Sequence, residues 1–471
     1  MNLNDELKIV NIGTQIFTEV FKQKHIDFVN LDWAPPLTDA GLLTKLDDLQ
    51  SSKKVKKAND EAFRRLNTSR PVLIGVKQAK EVIEGLDKFV IYHAGPPVTW
   101  ENMCGPMKGA AIGACIYEGW AKDIEQATDL CRKKLIRFAP CHHHNAVGPM
   151  AGILSPSMYV WVVKNEAFGN TAFCSLNEGL GKVLRFGAFD KSVIDRLKWM
   201  ETLLGPSLQK ALEVSGGGLD ITNLTAQALL MGDECHNRNV AATNLLLKEL
   251  TKLFINTITD STKIIQLIEF IDSNPHFYLN LSMAACKCIS DTILNIENST
   301  IVSAMARNGT HIGIRVAGCG NKWFTAKAGI PKGLFFPGYS QNDANPDIGD
   351  STVSEVVGIG GFAMAAAPAI VKFVGGESDD ALKYTMEMTS ITHGLNHNYQ
   401  IPQMNFMGTP TGIDILRVID TRILPLINTG IAHKKQGIGQ IGAGILRAPA
   451  TCFIKALKEM EIKNGHTYKE R

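Results

Sequence analysis

The chain has 471 residues, which is enough for several domains of about 100–200 residues each. Hydrophobic residues make up 45% and charged residues 20%, a composition that excludes a generally disordered protein. The 49 basic and 46 acidic residues nearly cancel. This balance excludes a dedicated nucleic-acid-binding protein, because such a protein needs an excess of positive charge.

The N-terminal residues 1–6 are polar and acidic, so no signal peptide is recognisable. The ten cysteines are therefore expected to be reduced thiols in a cytoplasmic protein. The longest apolar run, residues 356–371, is shorter than the ~18–20 residues of a membrane-spanning helix and is interrupted by glycine and proline. We therefore predict no membrane segment.

The first 95 residues follow a strand–helix–strand pattern. Residues 8–13 and 26–33 predict two strands, and the apolar residues between them repeat at helical spacing. Such a βαβ pattern usually belongs to a parallel sheet. With two further predicted strands at 70–76 and 88–92, residues 1–95 are predicted to form a small Rossmann-like α/β domain.

The rest of the chain predicts three further units. Residues 96–190 mix helix and strand patterns and predict an α+β domain. Strong helical periodicity over residues 191–295 predicts a helical insertion, and residues 296–471 return to an α+β pattern. The predicted fold class is α+β (mixed α/β) and multi-domain, with an N-terminal Rossmann-like βαβ domain, central α+β domains and a helical insertion.

Three consecutive histidines, His142, His143 and His144, lie between Cys141 and Asn145. Adjacent side chains diverge, so only His142 and His144 can converge on a metal, and only from an extended backbone. No third ligand is recognisable, and we assign no metal site. A second interpretation gives His142, His143 and Asn145 a catalytic role through hydrogen bonding or acid–base chemistry, and a third makes the histidines structural.

A polar run at residues 234–239 lies inside a helical pattern. At i,i+4 spacing, Glu234 and Arg238 are expected to pair on the surface of a helix. Cys235 and Asn239 fall on the apolar face, where an asparagine needs hydrogen-bonding partners. We expect an interhelical hydrogen bond or the wall of a site. Nothing in the sequence would lower the pKa of Cys235 for nucleophilic catalysis.

The acidic segment 343–350 resembles a calcium-binding loop. Its glycine falls one place late and Ser354 occupies the position of the bidentate glutamate, so an EF-hand is excluded. Asp347 and Asp350 are instead candidate catalytic residues, and Asn345 is a candidate substrate-binding residue. No cofactor is assigned, Mg²⁺ stays open, and the alternative is a solvated, turn-rich loop.

Two glycine motifs could direct backbone N–H groups toward an anion such as phosphate. Gly358, Gly360 and Gly361 follow a predicted strand at 351–357 and precede an alanine-rich helical stretch. The second motif, at residues 437–442, precedes another predicted helix. The alternative interpretation of both motifs is close helix packing.

Two arginines bracket a predicted strand at residues 311–316. Arg307, Asn308 and Gly309 come before it, and Arg315 lies near its end. Arginine binds carboxylate and phosphate through two parallel hydrogen bonds. These four residues are therefore candidates for holding an anionic substrate.

Several segments together resemble one family, the YlbE/AllG type. They span nearly the whole chain: VNLDWAPP (29–36), AGPPVTWENMCGPMKGA (94–110), the triple histidine, MARNGT (305–310), FFPGYSQNDANPDIGDSTVSEVVGIGGFAMAAAPAI (335–370) and MGTPTGID (407–414). The resemblance implies a subunit of oxamate carbamoyltransferase, which interconverts carbamoyl phosphate and oxamate with oxalurate and phosphate in anaerobic allantoin (purine nitrogen) breakdown. It also implies FdrA-like and AllH-like partner subunits and a fold with Rossmann-like, α+β and helical parts.

Under this resemblance, the backbone at 358–361 would bind phosphate, Arg307 or Arg315 would bind a carboxylate, and His142 or His143 would transfer a proton. Replacing Arg307 by alanine is then expected to abolish transfer without preventing assembly. A non-catalytic scaffold subunit and a CoA- or nucleotide-dependent ligase subunit are the alternatives. The carbamoyl acceptor and homo-oligomer formation also stay open.

Overall fold

The computed structural model describes residues 9–13, 16–31, 34–373 and 376–462. Its strands, in chain order, are β1 Ile9–Ile12, β2 Phe28–Leu31, β3 Pro71–Gln78, β4 Val90–His93, β5 Arg137–Pro140, β6 Ala146–Val147, β7 Tyr159–Asn165, β8 Thr171–Ser175, β9 Leu219–Asp220, β10 Val302–Asn308, β11 His311–Val316, β12 Phe324–Lys327, β13 Lys332–Phe335, β14 Ile348–Gly349, β15 Thr392–Ile401, β16 Met407–Ile413, β17 Leu426–Ala432 and β18 Gln440–Arg447.

The helices, in the same order, are α1 Ile16–Gln23, α2 Ala40–Ser51, α3 Lys53–Thr68, α4 Ala79–Val82, α5 Gly105–Tyr117, α6 Ile124–Arg132, α7 Lys191–Trp199, α8 Gly205–Glu213, α9 Ile221–Leu230, α10 Val240–Thr257, α11 Ser261–Asp272, α12 Phe277–Ser290, α13 Val353–Val356, α14 Pro368–Phe373, α15 Ser378–Ile391, α16 Ile415–Thr421 and α17 Ala450–Glu459. None of the described helices is long and apolar enough to cross a bilayer.

The N-terminal βαβ unit is present, with β1 and β2 parallel and Ile9 opposite Phe28. Its sheet contains these two strands alone among the described residues. The strand β3 runs antiparallel to β7 in another sheet, and β4 runs parallel to β5. A Rossmann-like domain over residues 1–95 is therefore not confirmed, because the later strands of that segment find their partners beyond residue 95.

The central sheet has the strand order β6-β8-β7-β3-β9. The helix α12 packs on β7 and β8, and all 14 of its residues are buried. Its sequence has no polar stripe, as expected of a helix enclosed on every side. This helix carries Lys287 and Cys286 into the interior of the protein.

The segment 191–295 is mainly helical, as its periodicity predicts. It holds α7 to α12, with a π-helical turn at Met200–Leu204 between α7 and α8. It also contributes β9 to the central sheet, and α12 lies in the main hydrophobic core. The boundaries at residues 95, 190 and 295 stay predictions.

The C-terminal third adds a sheet of order β12-β11-β10-β14 and another of order β13-β18-β17. The hairpin β10–β11 has Arg307 opposite Ile312. The short helix α13 packs against both α12 and β10. The helix α13, which lies between the acidic segment 343–350 and the glycine motif at 358–361 in the sequence, is thus next to α12.

Candidate functional site: a buried polar cluster beside α12

The histidine segment Cys141–His144 forms a 3-10 turn after β5, and Asn145 ends the turn in the left-handed region with φ 54°. The three rings point to different places. His142 is fully buried, His143 accepts a hydrogen bond from Trp323 Nε1 at 2.9 Å, and His144 stacks on Tyr92 with ring centroids 3.9 Å apart. Within the described ranges, no group of three or more His, Cys, Asp or Glu is placed to hold a metal ion.

His142 has no hydrogen-bond partner at either ring nitrogen. Its Nε2 lies 3.6 Å from Asp350 Oδ1, and its ring packs edge-on against Trp323. Burial, followed by the positive charges of Lys287 and Arg315, lowers the pKa of His142 well below 6.5. The imidazole is therefore neutral at pH 7, and neither of its nitrogens is used in a hydrogen bond within the described chain.

Two buried cations lie next to His142. Lys287 Nζ donates to the backbone oxygen of His142 at 3.4 Å and pairs with Asp291. Arg315 is 3% exposed, lies over the ring of Trp323 and donates to Asn321. Its Nε has no partner, and burial lowers its pKa. Unpartnered donors beside two buried positive charges favour an anionic ligand.

Asp350 joins this cluster to two loops. Its Oδ1 accepts from the Gly95 N–H at 2.7 Å, and its Oδ2 accepts from the Gly148 N–H at 3.0 Å. Burial raises the pKa of Asp350 to about 7 against the lowering effect of these hydrogen bonds. A carboxyl group that titrates near neutral pH suits proton transfer at a site.

The other aspartates of the acidic segment are engaged elsewhere. Asp343 accepts two hydrogen bonds from Ser340 at the surface, and Asp347 pairs with Arg307 at 2.7 Å. The three aspartates therefore do not converge on one point. Asn345 donates to the backbone oxygen of Pro346.

Arg307 is fully buried, and all five of its N–H groups have partners within the chain. It donates to both carboxylate oxygens of Asp347, to the backbone oxygen of Gly349, and to the hydroxyls of Thr352 and Thr429, at 2.7–3.1 Å. Such an arginine has no donor left for a substrate. In this structure Arg307 joins β10 to β14, to β17 and to Thr352, the residue that precedes α13.

Asn308 and Gly309 close the β10–β11 hairpin. Asn308 Oδ1 accepts from the backbone N–H groups of Thr310 and His311, and its amide donates to Pro96. Gly309 has φ +81°, and a Cβ at this position would lie 2.3 Å from Cys104 Sγ. Both residues therefore shape the turn.

The N–H groups of the first glycine motif are engaged within the chain. The Gly358 and Gly360 N–H groups donate to the backbone oxygens of Glu355 and Glu234, and the Gly361 N–H donates to Glu355 Oε1 at 2.9 Å. The predicted strand at 351–357 is wrong, since this segment contains the one-turn helix α13.

The second glycine motif does not precede a helix directly. Gly442 lies within strand β18, where a Cβ would meet the backbone oxygen of Leu334 at 2.4 Å. The next helix, α17, begins at Ala450. In this motif, the missing side chain at Gly442 allows β13 and β18 to approach closely.

The polar run at 234–239 is a buried loop between α9 and α10, so its assignment to a helix is wrong. Cys235 has φ 61°, which a helix does not allow. The Glu234 carboxylate accepts from the backbone N–H groups of His236 and Arg238, and His236 Nδ1 lies 2.8 Å from Glu355 Oε1. The four consecutive polar residues at 236–239 in an apolar helical pattern could have revealed the loop.

A separate cleft is lined by Tyr117, Tyr159, Glu178, Arg185 and Glu201, among others. It contains none of the residues that the sequence singles out. The residues that sequence analysis missed near His142 are Lys287 and Trp323. Each lies in an ordinary-looking stretch of sequence, and no local pattern marks either residue.

Comparison with known proteins identifies the family. Residues 136–351 match the family model described as oxamate carbamoyltransferase subunit AllG. The chain is 47% identical over 413 residues to oxamate carbamoyltransferase subunit AllG of Escherichia coli K12, covering 87% of this chain and 99% of that protein. The chain belongs to the AllG family.

Two further relatives extend the likeness of this AllG-family chain. It is 46% identical to the protein YahG of Escherichia coli K12 over 455 residues, 96% of each chain. A crystal structure of a conserved protein from Enterococcus faecalis V583 superposes with a TM-score of 0.85 at 52% identity, covering 86% of this chain and 97% of that one. The family segment 136–351 includes His142, Lys287, Arg315 and Asp350.

Proposed function

We propose that this AllG-family chain is a subunit of a heteromeric carbamoyltransferase and that it binds an anionic substrate beside α12. The observation that carries the proposal is His142, whose two ring nitrogens have no partner although the side chain is fully buried and feels the positive charges of Lys287 and Arg315. The relative named as an oxamate carbamoyltransferase subunit supports carbamoyl transfer as the reaction.

The proposed reaction moves the carbamoyl group of carbamoyl phosphate to the amide nitrogen of oxamate and releases phosphate. Lys287 and Arg315 offset the negative charge of the phosphate leaving group, and neutral His142 hydrogen-bonds to it. The acceptor nitrogen must lose a proton as the new C–N bond forms. Asp350, whose pKa is about 7, is the residue of this cluster best suited to receive that proton.

FdrA-like and AllH-like subunits are the proposed partners, in a cytoplasmic complex that serves anaerobic breakdown of allantoin. The test is to co-express the three subunits and to measure phosphate release from carbamoyl phosphate with oxamate, omitting each subunit in turn. Binding of inorganic phosphate to the purified chain supports a substrate site in this subunit. Phosphate release without this chain contradicts the proposal.

The matched variants are Lys287→Met and Lys322→Met. Lys287 is buried beside His142, whereas Lys322 is exposed and pairs with Glu459 at the surface. We expect Lys287→Met to weaken phosphate binding and transfer by about tenfold or more, because a buried charge contact is lost. Lys322→Met should behave as wild type. Full activity of a folded Lys287→Met variant supports a scaffold role instead, and a requirement for CoA supports a ligase.

A further inference from the structure

A second buried polar cluster lies where the loop 231–239 meets the segment 355–361. Its central residues are Glu234, His236 and Glu355, which are at most 2% exposed. None of them takes part in the anion site beside His142. The cluster contains two buried carboxylates and one imidazole, so it disfavours an anionic ligand.

The ring of His236 is held in one orientation. Its Nδ1 lies 2.8 Å from Glu355 Oε1, which also accepts the Gly361 N–H at 2.9 Å. The backbone N–H of His236 donates to Glu234 Oε2 at 2.9 Å. The carboxylate beside Nδ1 and the backbone contact to Glu234 hold the imidazole in this position.

Gly360 is required for this arrangement. It has φ +65°, and a Cβ there would lie 2.5 Å from Glu355 Oε1 and 3.0 Å from His236 Nδ1. The absence of a side chain thus lets the backbone pass directly beside the carboxylate–imidazole pair. Gly360, the second glycine of the predicted anion-binding motif, therefore makes room for the contact between Glu355 and His236.

The buried atoms without a partner in this cluster include one amide donor, Asn237 Nδ2, and three acceptor oxygens. Glu355 Oε2, Asn239 Oδ1 and Asn428 Oδ1 are buried and have no hydrogen-bond partner. The amide of Asn239 donates to the His236 backbone oxygen at 2.7 Å, which fixes its Oδ1 as the free end. Buried acceptors without partners are rare in native proteins and carry a desolvation cost.

We propose that these oxygens form a second ligand site beside His236, which receives a neutral group rich in N–H donors such as a primary carboxamide or ureido NH₂. The acceptor atoms select hydrogen-bond donors, whereas the site beside His142 offers donors and positive charge. The two sites are thus complementary in chemistry. This assignment does not depend on carbamoyl transfer, although an amide acceptor would fit it.

The test uses the full-length chain labelled with ¹⁵N-histidine, with the His236 ring resonances assigned through His236→Gln. Acetamide and acetate are the probes, because they have similar shapes but only acetamide donates N–H hydrogen bonds. A ligand of this size binds in the range of about 1–100 mM. We expect acetamide to shift the His236 resonances saturably and acetate to leave them unchanged.

Two variants separate binding from folding. Glu355→Gln replaces an acceptor oxygen, and Asn428→Leu removes one with little change of shape. Each should weaken acetamide binding by about tenfold. Glu297→Gln, at an exposed position, should not. If Glu355→Gln fails to fold, judged by its melting curve, Asn428→Leu keeps the test decisive.

The proposal is overturned if acetamide causes no saturable shift in the wild type, which would mean that ordered water alone fills the site. It is also overturned if acetate acts equally on His236, or if Asn428→Leu binds acetamide as tightly as the wild type. None of these readouts involves phosphate release. Failure of carbamoyl transfer therefore leaves this test unaffected.

Discussion

Replacing Arg307 by methionine should unfold the protein more readily rather than remove a substrate contact. The change leaves the Asp347 carboxylate buried without its ion-pair partner. Breaking a buried pair from one side costs about 3–5 kcal/mol, against a total stability of about 5–15 kcal/mol. At about 2 °C for each kcal/mol in a large protein, the melting temperature should fall by roughly 6–10 °C.

Differential scanning calorimetry of the purified chain measures this fall. The double variant Arg307→Met/Asp347→Leu should recover part of it, because neither charge is then left buried alone. The reasoning is refuted if Arg307→Met melts within about 1 °C of the wild type. If such a variant also lost transfer activity, Arg307 would contact the substrate, as the sequence-based interpretation expects.

Three further outcomes follow from other contacts. Gly360→Ala should lower the free energy of unfolding by about 2 kcal/mol or more, because the new Cβ is strained at positive φ and clashes with Glu355. Gly75→Ala is the control, since a Cβ there meets nothing within 4 Å and should change little. Thermal melts of the two variants measure the difference. Burial raises the pKa of Asp350 to about 7 in the folded protein. The unfolded chain releases this proton more easily, so the free energy of unfolding falls as the pH rises from about 4 to 7. Between about pH 5 and 7.5, the melting temperature of Asp350→Asn should therefore fall less than that of the wild type. Asn59→Ala removes hydrogen bonds to Thr300 and Asp414. In a thermal melt, it should lower the free energy of unfolding by about 2–3 kcal/mol. The control is Asn342→Ala at an exposed position.

Local patterns predicted those parts of the fold that depend on neighbouring residues. The strand at 311–316 is confirmed as β11, and the parallel pairing of β1 with β2 agrees with the βαβ pattern. The partners of β3 and β4 lie far along the chain, and local periodicity contains no information about them.

Long-range hydrogen bonds explain the wrong assignments. A helix over 234–239 would use the N–H groups of His236 and Arg238 for its own ladder, but the buried Glu234 carboxylate binds both. Tertiary burial overrides helix propensity at such a place. The same holds for the valine-rich segment 351–357, where complete burial of α13 outweighs the β-propensity of valine.

Sequence analysis found part of the candidate site. His142, Arg315 and Asp350 were singled out by residue type and spacing, and the structure brings them to one cluster. Lys287 was missed because a single lysine in an apolar helix is usually read as an exposed residue. Its burial depends on segments distant in sequence, such as the histidine segment 141–144.

The complete enclosure of α12 has an evolutionary consequence. A helix with all 14 residues buried has no face on which substitutions accumulate freely. Cys286 lies near Glu355 in one cluster, and Lys287 lies near His142 in the other. A substitution in this turn of the helix therefore changes the surroundings of both clusters. Divergence among relatives should therefore be slowest along Phe277–Ser290, and any exchange there should be matched by compensating exchanges in the segments packed around it.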